Sequence, residues 1–199
     1  MSGTGDEPLP PDDFSSIELP LVSFEADVYR IHRSTLPAIH FGTASRWRFD
    51  DPRREYGVLY TGLSPEACLI ETVYTTGQRL LLRGRMEASS LSRLRPAHAA
   101  ALVDFTGPGL ARVGADARLW SGAYTAAQEW SRAVWAHPRR PAGILYPCRH
   151  DPSQKAVAWF EDRGSSFDVV PLGGLMDDVG KLAAIADRYG LAFVDDVAR

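Results

Sequence analysis

Five residues of the chain combine side-chain types and spacing that could act on a planar, phosphate-bearing molecule: Arg30, Arg46, Arg48, Tyr60 and Glu71. Arg30 lies in Val28-Tyr29-Arg30-Ile31, Arg46 and Arg48 flank Trp47, Tyr60 closes Val58-Leu59-Tyr60, and Glu71 follows Pro65-Glu66-Ala67. Guanidinium forks bind phosphate oxygens bidentately, and aromatic faces stack on planar bases. A lone carboxylate hydrogen-bonds sugar hydroxyls or steadies a developing cation. Together these groups suit a dinucleotide. Each also has a plainer reading: Glu71 as a solvated helix-edge residue, Arg46 and Arg48 as surface partners of Asp50, Asp51 and Glu55, and Tyr60 as a core residue by period two. Arg30 is the hardest to explain by structure alone, because it interrupts a strand face that already holds Val28.

A second constellation is Cys148 with His150, a C-x-H pair at a strand end that could supply a thiolate and its base. A small buried cysteine gives the same pattern. The two cysteines, Cys68 and Cys148, make neither a disulfide framework nor a zinc set, and His32, His40, His98 and His137 show no ligand spacing, so no metal is expected. The sequence has no G-x-x-x-x-G-K-[ST], H-E-x-x-H or C-x-x-C, and Gly107-Pro108-Gly109 lacks the third glycine of a dinucleotide loop. No prosthetic group is called for.

Several elements must position these residues. The first 22 residues, rich in Pro, Asp, Gly and Ser, read as a flexible acidic arm, leaving residues 23–199 as one domain. Strands are expected over Ala26 to His32, Gly57 to Thr61, Gln78 to Glu87, Gly143 to Pro147, Ala156 to Glu161 and Leu191 to Val194. In the third of these, Leu80, Leu82, Gly84 and Met86 alternate against a basic face. A helix starts at Ser64-Pro65-Glu66 and stops at Thr75-Thr76-Gly77, a second runs from Ala123 to His137-Pro138, and a third from Leu175 to Tyr189 is capped by Gly190. The long irregular stretch Ser34 to Tyr56 has the length of a functional loop. The sum is an α+β single domain of antiparallel strands with peripheral helices.

Charge is divided unevenly among these parts. Of 199 residues 45% are hydrophobic and 24% charged, the profile of a globular domain, and the net charge is −3. Residues 1–27 hold seven acids and no base, residues 28–160 hold 18 bases against 10 acids, and residues 161–199 hold four bases against eight acids. The basic middle, at +8, contains every candidate residue. A non-catalytic nucleic-acid-binding module would also use such a segment, although no helix-turn-helix pattern, RNP-type strand or basic helix accompanies it. Without a basic, apolar leader or an 18-residue apolar run, the sequence reads as cytoplasmic, with no membrane partner.

The order Val28-Tyr29-Arg30-Ile31, Arg48-Phe49-Asp50-Asp51-Pro52, Gly57-Val58-Leu59-Tyr60 and Pro65-Glu66-Ala67 leading to Glu71 resembles the RES domain over residues 28–161. That resemblance implies a core similar to ADP-ribosyltransferases of the diphtheria-toxin type. It implies the toxin of a bacterial type II toxin-antitoxin module, with NAD+ as substrate and cleavage of the nicotinamide-ribose bond to water or phosphate, or transfer of ADP-ribose to a protein. Arg30 and Glu71 match the family Arg and Glu, and Arg48 and Tyr60 match further pocket positions. Cys148 stands where the family has Ser, with Ser153 a nearby substitute. By the same resemblance Arg30 and Arg48 hold the pyrophosphate and Tyr60 stacks on nicotinamide or its ribose, while Glu71 binds the ribose hydroxyls and stabilises the cation; Arg46 is a further candidate for binding the substrate. The implied partners are an Xre-like antitoxin and a second copy in a homodimer, with nucleic acid reached only through the antitoxin.

Overall fold

The computed structural model describes residues 9–74, 79–163 and 166–195. In chain order the elements are β1 (Leu21–Phe24), β2 (Val28–Arg33), β3 (Val58–Gly62), α1 (Pro65–Tyr74), β4 (Leu80–Leu82), α2 (Arg83–Glu87), β5 (Ser89–Pro96) and β6 (Ala100–Asp104). They continue with α3 (Pro108–Arg112), α4 (Arg118–Ser121), α5 (Tyr124–Ala136), β7 (Gly143–Pro147), β8 (Lys155–Phe160), β9 (Phe167–Gly174), α6 (Val179–Tyr189) and β10 (Ala192–Val194). Eight strands form one sheet in the order β1-β6-β7-β8-β3-β2-β5-β9, antiparallel at every step except β6 with β7. A parallel step needs a crossover, and α3, α4 and α5 supply it. Strands β4 and β10 make a separate parallel pair.

Period two divides the central strands between two cores. Ala156, Ala158 and Phe160 of β8 join Val58, Ile144 and Tyr146 against Trp130 and Val134 of α5. Val157 and Trp159 point the other way, with Leu59, Val28, Leu94 and Leu102. That second face is closed by the sheet itself. The Trp159 ring meets Phe24 of β1 at 5.8 Å and Phe167 beside β9's start at 5.0 Å, both edge to face, so the two edge strands curl toward one buried indole. Its Nε1–H donates to Thr61 Oγ1 at 2.9 Å, which satisfies the one polar atom it buries.

The α+β architecture expected from sequence is the one observed. Helix α1 begins at Pro65, where Ser64 Oγ accepts the Ala67 N–H at 3.0 Å. Helix α5 ends at Ala136, and α6 starts at Val179, with Asp178 accepting the Lys181 N–H and Gly190 following in the left-handed region at φ 61°. The expected stop at Thr75-Thr76-Gly77 lies outside the described residues.

Three expectations are corrected. Gln78 to Glu87 is not one strand: β4 ends at Leu82 and α2 begins at Arg83. The change of period inverts the faces, so Leu81 and Met86 are buried against Leu69, Leu182 and Ile185 while Leu80 and Leu82 are exposed. Strands β1, β5, β6 and β9 were not anticipated, because Ser89–Pro96 is polar and Phe167–Gly174 is an exposed edge carrying Pro171. The acidic arm is docked through Phe14 and Ile17: Phe14 is 4% exposed, edge-on to Trp130 at 5.4 Å, and His137 Nε2 meets the Ile17 carbonyl at 3.1 Å. Among the described residues no helix is long and apolar enough to cross a membrane.

Candidate active site

A cleft of about 280 Å³ opens where β2, β3 and β7 meet α1 and the loop before β3. Four arginines (Arg30, Arg48, Arg85 and Arg149) and one carboxylate (Glu71) line it, among the aromatic rings of Trp47, Tyr60, Tyr124 and Tyr146. One turn beyond Ala67, Glu71 comes to the inner edge of α1 because Gly62 lets the helix sit against β3. A Cβ on Gly62 would lie 2.8 Å from both Ala67 Cβ and the Cys68 nitrogen.

Glu71 is not the solvated helix-edge residue of the plainer reading. Its Oε1 accepts the Arg149 N–H at 3.0 Å, and the Cys148 thiol donates to the same carboxylate. Burial holds its carboxyl above the usual carboxylate range, although the Arg149 N–H, the Arg48 charge and the Cys148 thiol each favour the ionised form. Arg48 is 8% exposed. Its Nη1 donates to the Gly122 carbonyl at 2.9 Å and its guanidinium lies 4.6 Å from the Tyr124 ring centroid, but Nη2 is buried with no hydrogen-bond partner. Native structures rarely leave a buried donor unpaired, since each costs roughly 1–3 kcal/mol. Desolvation lowers the pKa of Arg48, and lowers that of Arg30 to about 10.

Arg30 does two jobs at once. It lines the cleft from β2, and its Nη1 donates to the Ala38 and His40 carbonyls at 2.8 and 3.1 Å, tying the next loop to the strand. Tyr60 presents its ring to the cleft while its hydroxyl donates to Asp50 Oδ1 and accepts the Phe49 N–H, both at 2.9 Å. Asp50, 1% exposed, also takes the N–H groups of Arg46 and Trp47 on Oδ2 at 2.8 and 2.9 Å. One buried carboxylate therefore fixes the loop that carries Arg48. The ion-pair reading of Arg46 and Arg48 is corrected by α5, since it is Arg132 that bridges Asp51 at 2.9 Å and Glu55 at 2.7 Å.

Not every candidate reaches the cleft. Arg46 is exposed and does not line it, and it meets the site only indirectly, through the backbone N–H it donates to Asp50. Cys148 is fully buried behind Glu71, and burial together with the nearby Glu71 charge pushes its thiol up, the opposite of an activated nucleophile. His150 does line the cleft, with its pKa lowered by burial and by Arg149 and Arg48. Ser153 is occupied with Asp151, to which its hydroxyl donates at 2.6 Å. Sequence reasoning missed Arg85, Tyr124 and Arg149. Arg149, adjoining Cys148 and His150, was the one with a signal, whereas Arg85 was hidden by the strand expected over Gln78 to Glu87.

The fold and cleft define a class: an α+β domain with a curled sheet that holds a cationic pocket around one carboxylate. The RES domain profile matches residues 27–178, and the chain belongs to the RES domain family. Residues over a 67-residue stretch are 33% identical to a probable toxin, y4kH, of Sinorhizobium fredii (strain NBRC 101917 / NGR234). That stretch is 34% of this chain and 52% of the relative, so the chain spans about half of its length. The fold is shared with a chain of the crystal structure of the M. tuberculosis MbcT-MbcA toxin-antitoxin complex, with a TM-score of 0.60 at 18% identity over 76% of this chain and 86% of that one.

Proposed function

We propose that the chain is the toxin of a toxin-antitoxin module and that it consumes NAD+ by breaking the nicotinamide-ribose bond. Membership of the RES family, the relative described as a probable toxin and the fold shared with a toxin-antitoxin complex support the first part. The second part rests on one observation: four arginines share a cleft with a single hydrogen-bonded carboxylate.

In this reading the pyrophosphate of NAD+ lies among the arginines of the cleft, Arg30, Arg48 and Arg149. Glu71, fixed by the Arg149 N–H and the Cys148 thiol, faces the nicotinamide ribose. As the glycosidic bond lengthens, positive charge grows on the sugar, and an ionised Glu71 in a desolvated pocket stabilises it more than water would. The electron pair of the bond leaves with nicotinamide, which departs neutral. Water or phosphate then takes the ribose carbon, and a protein side chain is the remaining acceptor. Tyr60 forms a wall for the ring, its hydroxyl already committed to Asp50. The proposed partner is an antitoxin that restrains the enzyme by covering this cleft.

The test is nicotinamide release from NAD+ by purified protein, with and without inorganic phosphate, followed by identification of the ribosyl product. Release is expected, and the product names the acceptor. No release in either condition, together with no labelled protein in a cell lysate, overturns the reading.

A further inference from the structure

Trp47 has no part in the chemistry above, yet its placement is costly. It is 46% exposed, an unusual position for the largest apolar side chain, and it lines the cleft. Its backbone is held on both sides: the N–H donates to Asp50 Oδ2 at 2.9 Å, and the carbonyl accepts from Gln128 Nε2 at 2.9 Å and from the Asp50 N–H at 3.2 Å. Gln128 and Asp50 are themselves buried. A rigid backbone thus carries an uncovered indole at the cleft, beside Arg48 in sequence.

The cleft's size gives the indole a purpose. At about 280 Å³ it falls just below the usual range of roughly 300–1,000 Å³ for ligand pockets, too little to enclose a whole dinucleotide. With the reactive ribose at Glu71 and the pyrophosphate among the arginines, the second nucleoside must extend past the mouth. A flat apolar ring fixed at that mouth offers a stacking face to a purine or pyrimidine, worth about 1–3 kcal/mol per base. We infer that Trp47 is a stacking platform for the distal base of the dinucleotide, so that it sets affinity for the full substrate without touching the bond that breaks.

The proposal rests on the dinucleotide reading above, and its test separates the two. Calorimetric titration of the purified wild type with ADP-ribose and with nicotinamide mononucleotide is compared with Trp47→Ala and Trp47→Phe. The expected result is about tenfold weaker binding of ADP-ribose to Trp47→Ala, largely restored in Trp47→Phe, with nicotinamide mononucleotide bound equally by all three. In turnover the same alanine variant raises KM for NAD+ and leaves kcat unchanged. Equal ADP-ribose affinity in wild type and Trp47→Ala overturns the platform while leaving NAD+ cleavage standing. A wild type that binds neither ligand overturns both.

Discussion

Glu71 is held by opposing influences: burial resists its ionisation, while the Arg149 N–H, the Arg48 charge and the Cys148 thiol favour it. An acid whose folded pKa is raised stabilises the fold at low pH and costs stability once pH rises through that pKa. Glu71→Gln removes the cost. Its melting temperature is therefore expected to exceed the wild type's at pH 8 and to converge with it below about pH 4, where both side chains are neutral. Over the same range nicotinamide release should fall by about 10²-fold or more, the usual effect of deleting a transition-state charge partner. The two readouts move in opposite directions, which a residue serving the fold alone would not produce. Cys148 allows a finer test. A hydroxyl donates a stronger hydrogen bond than a thiol, so Cys148→Ser should move the acid limb of the pH profile of kcat/KM to lower pH, and Cys148→Ala to higher. An unmoved limb would remove Cys148 from any role in tuning the carboxylate. At this scale Arg30 was legible because an arginine in a strand breaks a hydrophobic pattern, whereas Arg48, Tyr60 and Glu71, each open to a plainer reading by residue type, stood out through their order along the chain and the resemblance it carries. Arg85 and Tyr124 were left unread because they break no such pattern.

Elements decide whether those side chains converge. Helix α1 carries Glu71, and its N-terminus is fastened twice: Ser64 Oγ accepts the Ala67 N–H and donates to Gln154 Oε1 at 2.6 Å, in the turn before β8. Gly62 then sets how closely the helix approaches β3. Gly62→Ala puts a methyl 2.8 Å from the Cys68 nitrogen, so α1 must move outward and carry Glu71 away from the β3 wall. The expected outcome is a folded protein, by circular dichroism, whose kcat for nicotinamide release drops at least tenfold; full activity would mean that the helix position is not what places the carboxylate. The cap makes a milder prediction: Ser64→Ala should lower stability by about 1 kcal/mol in urea titration. Ser64-Pro65-Glu66 was readable because a cap is a local signal. The end of β4 and helix α2 were not, since Leu81 and Met86 are buried by a change of period at Arg83 that depends on α6 and β10, far along the chain. Tertiary packing overrode an alternation that was locally sound.

Across the whole molecule, the net charge of −3 is the balance of an acidic start, a basic middle and an acidic end, and the fold gathers four arginines of the middle into one concavity. The sequence located the basic segment, but its concentration in a cleft follows from the convergence of β2, the loop before β3, α2 and the turn after β7, which carry Arg30, Arg48, Arg85 and Arg149. The acidic start is where composition misled most. Pro, Asp and Ser dominate it, yet Phe14 and Leu19 are buried in the same core as Trp130, Phe49 and Tyr146, and Phe49 and Tyr146 meet at 4.7 Å directly beneath the site. A polar segment needs only one or two such anchors to dock, because burying an aromatic ring offsets the ordering of a few residues. Phe14→Ala distinguishes a docked segment from a loose arm. If the ring fills its place against Trp130 and His137, its loss leaves a cavity and should cost about 3 kcal/mol, read as a lower urea midpoint with an unchanged slope. A free arm would register no change at all, and Leu9→Ala, removing a side chain that is 62% exposed on the same segment, supplies that comparison within one experiment.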